Sequence, residues 1–119
     1  MKLPRIVSQM VSAGALIVGG VGRAIATGDT DYIENLKDYD LMVPTLDQWY
    51  EVALLIPKEA KVNSFGGWKF IEKGVEVDVW VESLDHYLKY GKMRMDGEVY
   101  AVDYINNTTY QSHVEVGLS

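Results

Sequence analysis

Ala15-Leu16-Ile17-Val18-Gly19-Gly20-Val21-Gly22-Arg23 is the stretch on which the fold turns. Four apolar residues follow Gly14 and end at two glycines, the pattern of a short buried strand that runs into a tight turn. Val21 to Ala26 then reads as the start of a helix. At such a strand-to-helix turn, backbone N–H groups face an incoming phosphate without side-chain obstruction. Arg23, about one helical turn further on, is placed to bind phosphate or to pair with an acid. Better-known phosphate motifs do not fit: Gly20-Val21-Gly22 lacks the third glycine of a dinucleotide fingerprint, and no Gly-Lys-Ser/Thr completes a P-loop.

Upstream, Leu3, Ile6, Val7, Met10 and Val11 recur at helical spacing, which predicts a helix from about Pro4 to Ala13 with the proline in its first turn. Downstream, Thr27 to Leu36 is polar and acidic and reads as a surface loop. Asp38 to Val43 follows as a strand, and Thr45 with Gln48 has capping-box spacing. The helix so capped shows an apolar face of Leu46, Trp49, Tyr50, Ala53 and Leu54 and is expected to stop at Pro57.

Lys61 to Phe65 and Trp68 to Ile71 read as strands around Gly66-Gly67, and Glu72-Lys73-Gly74 turns the chain into a third strand, Val75 to Val81, in an antiparallel meander. Ser83 is a candidate N-cap for a helix carrying Leu84, Tyr87 and Leu88, which Gly91 is expected to end in a left-handed conformation. Val99, Ala101 and Tyr104 point to one or two further strands. No repeat, low-complexity segment or linker interrupts the 119 residues, so one domain over 1–119 is expected.

The chemistry lies in two strands. Side chains alternate across a strand, so Asp38 and Asp40 share one face while Tyr39, Leu41 and Val43 take the other. Residues two apart lie roughly 6–7 Å apart at Cα, close enough for two carboxylates to converge on one hard cation. Val75-Glu76-Val77-Asp78-Val79 repeats the pattern, with valines on one face and Glu76 and Asp78 on the other. If the two strands are neighbours, their carboxylates meet on one surface, where like charges repel unless cations neutralise them. The bland alternative is that these are the solvated faces of amphipathic strands.

Composition narrows the chemistry further. There is no cysteine, which removes disulfides, thiolate metal sites and cysteine nucleophiles and is compatible with a cytoplasmic location. A net charge of −6 argues against broad electrostatic attraction to nucleic acid, so a polyanionic substrate must be met locally. Lys2, Arg5 and the apolar residues up to Ala24-Ile25-Ala26 loosely imitate a secretory signal, but Gln9, Ser12 and Arg23 interrupt it. No apolar run reaches the roughly 20 residues needed to cross a bilayer, so no membrane partner is expected. Asp29 and Asp31 open a sequence like a calcium loop, but Ile33 stands at an oxygen-ligand position and Glu34 where glycine is required. His86 and His113 lack partners at catalytic or metal-binding spacing. Trp68, Trp80 and Tyr87 suit either core packing or stacking on a base.

Taken in order, Gly19-Gly20, Asp38-Tyr39-Asp40 in an apolar strand, and Asp78 between Val77 and Val79 resemble the polymerase-beta-like nucleotidyltransferase superfamily. Gly19-Gly20-Val21-Gly22-Arg23 is similar to the Gly-Gly-x-x-Arg start of its tRNA CCA-adding and poly(A) polymerase branch, and the likeness covers about the first two-thirds of the chain. The resemblance implies an α/β (α+β) fold with a mixed, mainly antiparallel sheet flanked by helices. It also implies Mg²⁺ or Mn²⁺ on Asp38, Asp40 and Asp78, and an NTP held near Gly19, Gly20 and Arg23. Asp78 would complete the metal site and help to deprotonate the acceptor, with Glu76 as a lesser helper.

Two departures shape the expectation. Ala24 stands where the tRNA-modifying branch usually has an acid, and the 119 residues include no C-terminal helical domain to select a base or hold tRNA. The chain therefore resembles a minimal nucleotidyltransferase, a class that often needs a homodimer or a partner chain. The expected activity is transfer of a nucleoside monophosphate from an NTP to an RNA, protein or small-molecule acceptor, with release of pyrophosphate. The alternative is a catalytically inactive binding or inhibitory module on the same fold.

Overall fold

The alternation seen along residues 38–43 and 75–81 is resolved in a computed structural model, which describes residues 2–29, 31–32, 37–91 and 98–112. Among these, helices α1 (Arg5–Ser12), α2 (Gly19–Thr27), α3 (Leu46–Ala53) and α4 (Leu84–Tyr90) accompany seven strands. The strands are β1 (Leu16–Val18), β2 (Asp38–Val43), β3 (Lys61–Val62), β4 (Trp68–Glu72), β5 (Val75–Val81), β6 (Tyr100–Asp103) and β7 (Thr108–Gln111). They form one sheet in the order β3-β4-β5-β2-β1-β6-β7.

Every neighbouring pair is antiparallel except β2 and β5, which run parallel. The result is a mixed α+β fold of the expected kind. The parallel pair is prolonged at both ends, the Glu76 N–H donating to the Lys37 carbonyl at 2.7 Å and the Glu82 N–H to the Val43 carbonyl at 3.0 Å. The meander expected over 61–81 is present as β3-β4-β5.

Each face of the sheet carries its own core. On one, Ile17, Tyr39, Leu41, Val43, Phe70, Val77 and Val79 pack against Val7, Met10 and Val11 of α1, Val21 of α2 and Val52 of α3. On the other, Leu16, Val18, Met42, Trp80 and Ala101 are covered by Tyr87, Leu84 and Leu88 of α4. The interior strand β1 is buried along its whole length, in keeping with its unbroken apolar run.

Several expectations need correction. Helix α2 begins at Gly19 rather than Val21, so the two glycines form its first turn. The strand expected over Lys61–Phe65 ends at Val62, because the Asn63 side chain captures the Gly67 N–H that a ladder would have used and holds the Phe65 N–H inside the turn. In α3 the buried residue is Val52, with Trp49 partly buried beside it, while Leu46, Tyr50 and Leu54 are exposed, Leu54 at 86%. That helix also ends at Ala53, four residues before Pro57, which lies beyond a further turn in which the Leu55 N–H bonds the Val52 carbonyl at 2.9 Å.

Gly91 is right-handed, with φ −59° and ψ −33°. A Cβ there would stand 3.0 Å from Val99 Cγ1 and 3.4 Å from the Tyr87 ring, so close packing rather than a left-handed turn accounts for the glycine. The expected loop over Thr27–Leu36 is different as well. Thr27 closes α2, Gly28 caps it at φ +76°, and Asp31 and Tyr32 are helical, while residues 30 and 33–36 lie outside the described residues. His113 lies outside them too. Among the described residues no helix is long and apolar enough to cross a membrane.

Candidate active site

The apolar half of the second face ends where Met42 and Trp80 give way to Asp40 and Asp78. Parallel pairing sets Asp38 opposite Glu76 and Asp40 opposite Asp78, so the four carboxylates named from the sequence occupy one face of two adjacent strands. The covering helix stops short of them: Met42, Trp80 and Tyr87 are buried, whereas Asp38 is exposed and Asp40, Glu76 and Asp78 are half-buried.

Burial and crowding act on Asp40 together. The Asp40 carboxyl is raised from 3.8 to about 6, first by burial and then by the charges of Asp78 and Asp38, while Lys69 opposes the rise. An acid in that state is stabilised by any cation that reaches it. The donor set is entirely carboxylate oxygen, which fits a hard divalent ion such as Mg²⁺ or Mn²⁺. As they stand, the side chains share a face without converging, and among the described residues no group of three or more Asp, Glu and His side chains is gathered into a metal cluster.

Gly19 brings the glycine turn onto the same spot. Its φ is +67°, and a Cβ built on it would run into the Asp40 carboxylate, with Asp40 Cβ and Cγ both at 3.1 Å. Both facts require glycine, since an L-residue is strained at that φ and has no space for its side chain. The Gly19 N–H is not turned to solvent: it is buried and donates to the Tyr87 hydroxyl at 3.4 Å. Gly20 is exposed, and a Cβ on it would meet the Tyr32 hydroxyl. Gly19, Gly20 and Arg23 line a cleft of about 430 Å³ together with Thr27, Asp29 and Tyr32.

Two residues that the sequence reading passed over contact Asp78. Lys69 Nζ lies 3.9 Å from Asp78 Oδ2, with side-chain exposures of 50% and 13% respectively. Asn63 Nδ2 donates to Asp78 Oδ1 at 3.2 Å. Lys69 was within reach of sequence reasoning: counting back across the Glu72-Lys73-Gly74 turn pairs 72 with 75 and hence Lys69 with Asp78. Of the aromatic candidates, Trp80 and Tyr87 belong to the core, and Trp68 stands opposite Val79 on the face away from the carboxylates. Phe65 does reach this face, stacking on Trp80 at 4.6 Å between ring centroids. His86 pairs with Glu82, which also accepts from Trp80 Nε1 at 2.9 Å, and this accounts for the histidine structurally.

Compared with protein-family models, curated proteins and solved structures, the chain matches none. The case for function therefore rests on its own geometry. That geometry combines a carboxylate pair with a raised Asp40, a glycine turn pressed against it, a cleft containing an arginine alongside, and a lysine on the far side. Carboxylates and an arginine thus both lie beside the Gly19-Gly20 turn.

Proposed function

We propose that the chain is a metal-dependent nucleotidyltransferase, moving a nucleoside monophosphate from an NTP to a hydroxyl or phosphate acceptor. The observation that carries this reading is the placement of Asp40 directly opposite Asp78 on parallel strands, with Gly19 packed on the Asp40 carboxylate. Mg²⁺ or Mn²⁺ bound there supplies charge neutralisation for the triphosphate and the departing pyrophosphate. Asp38 and Asp40, with Asp78 completing the set, would hold the metal that carries the triphosphate, and Arg23 would meet its phosphates from the neighbouring cleft. Asp78 helps to take the proton of the acceptor hydroxyl as the acceptor oxygen bonds to the α-phosphorus and the α–β bridge breaks, releasing pyrophosphate. RNA, protein and small molecules all remain candidate acceptors, and a second copy or a partner chain could complete the acceptor side.

A second reading keeps the fold as a non-catalytic binding module. It draws on the engagement of Asp78 by Asn63 and Lys69, which partly satisfies that carboxylate without any metal. Asp78→Asn separates the two. A group needed chiefly in the transition state lowers turnover more than ground-state binding when it is removed. Asp78→Asn is expected to keep NTP affinity within about tenfold while losing at least about a hundredfold in transfer of α-labelled nucleotide to RNA or protein of the native host. Labelling by the variant at the wild-type rate, or NTP binding by wild type without labelling of any acceptor, overturns catalysis at this site.

A further inference from the structure

Asn63 stands at the first residue beyond β3, and its amide is engaged at both ends. Nδ2 donates to Asp78 Oδ1 at 3.2 Å and to the Trp68 carbonyl at 3.1 Å. Oδ1 accepts from the Phe65 N–H at 3.0 Å and the Gly67 N–H at 2.8 Å. A side-chain amide has two N–H donors and an oxygen with two lone pairs, so its capacity is filled. The orientation follows from the partners: a flipped amide would set its oxygen against a carboxylate and a carbonyl, and its nitrogen against two N–H groups.

Forming the 63–67 turn explains only half of these bonds. An aspartate could accept from the Phe65 and Gly67 N–H groups equally well. Donating to Asp78 requires the amide nitrogen. Because Asn63 has no hydrogen-bonding capacity left for a substrate, it can act on the site only through the carboxylate it holds. Its bond fixes Oδ1 of Asp78, leaving Oδ2 as the oxygen beside Lys69.

We propose that Asn63 is the positioning residue of the candidate site, holding the Asp78 carboxylate so that Oδ2 is the oxygen offered to ligand. The role in turnover rests on the nucleotidyltransferase reading, whereas the grip on Asp78 does not. Asn63→Asp is the sharpest variant, because it keeps the acceptor for Phe65 and Gly67 and sets a repelling oxygen against Asp78, with the bond to the Trp68 carbonyl lost alongside. Backbone amide exchange at Phe65 and Gly67 should stay within about threefold of wild type, while the ¹³C resonance of the Asp78 carboxyl moves. Turnover should fall about 10–100-fold, the usual effect of removing a group that orients a metal ligand, with the KM for NTP within about threefold. In an Asp78→Asn background the same change should lower turnover no further, because both substitutions break one unit.

An unmoved Asp78 resonance, or a further tenfold fall in the Asp78→Asn background, overturns the proposal. If the resonance moves but wild type transfers no nucleotide, the grip on Asp78 stands and the nucleotidyltransferase reading falls. Should Asn63→Asp not fold, Asp78→Asn reads the same bond from the other side. The Asn63 side-chain amide proton then shifts while the Phe65 and Gly67 amides hold, and an unshifted Asn63 proton overturns the proposal.

Discussion

Tyr39, Leu41 and Val43 on one face of β2, and Asp38 and Asp40 on the other, are neighbours in sequence and opposites in environment. The first set is buried against Val77 and Val79 under α1 and α3. The second faces Glu76 and Asp78 beyond the reach of α4, and the Asp40 carboxyl is raised there by burial and by the charges of its neighbours. The two faces have the same backbone and the same partner strand, so the difference comes from the side chains and from what covers them. One face maximises burial. The other keeps like charges crowded together, which costs stability unless a proton or a cation neutralises them.

Leu41→Ala should show the largest effect on stability. Leu41 is fully buried, and removing its isobutyl group leaves a cavity between helices and sheet, so a loss of about 2–5 kcal/mol is expected by denaturant titration. A loss under about 1 kcal/mol would mean that this face is not the closed core described.

Asp40→Asn should act in the opposite direction. Below its unfolded value of 3.8, Asp40 is protonated whether the chain is folded or not, so its folded-state penalty is absent. As pH rises through the folded value of about 6, the folded chain must ionise a crowded, half-buried acid, and stability is lost by at most roughly 3 kcal/mol. Asparagine mimics the protonated acid and escapes the loss. The variant should match wild type near pH 4 and exceed it by up to that amount at pH 7–8, and added Mn²⁺ should narrow the gap by stabilising wild type alone. Equal stability at every pH would remove the contrast between the faces.

How much of this was legible in the sequence follows from the range of each interaction. The period-2 alternation around Asp38, Asp40, Glu76 and Asp78 is local, and it placed all four carboxylates on the right faces. That β2 and β5 are partners was a condition rather than a deduction, because strand pairing across more than thirty residues leaves no local trace. Lys69 could have been found from the hairpin register, whereas the Asn63 bond to Asp78 depends on a loop closing in three dimensions. The contact between Gly19 and Asp40, and the Tyr87 hydroxyl on the Gly19 N–H, likewise arise only when three separate elements meet. In α3 the face expected from Leu46, Trp49, Tyr50, Ala53 and Leu54 omits Val52, the residue that docking buries.

A nucleotidyltransferase of this kind must hold a cation together with a triphosphate at Asp40 and Asp78. Crystals soaked with Mn²⁺ and a non-hydrolysable NTP test this directly through anomalous scattering from the metal. The expected result is a peak bridged by oxygens of Asp40 and Asp78, at roughly the 2.0–2.2 Å typical of small divalent ions, with the triphosphate between it and the Gly19-Gly20 turn. Nucleotide bound elsewhere, or bound here with no metal on either aspartate, would contradict it.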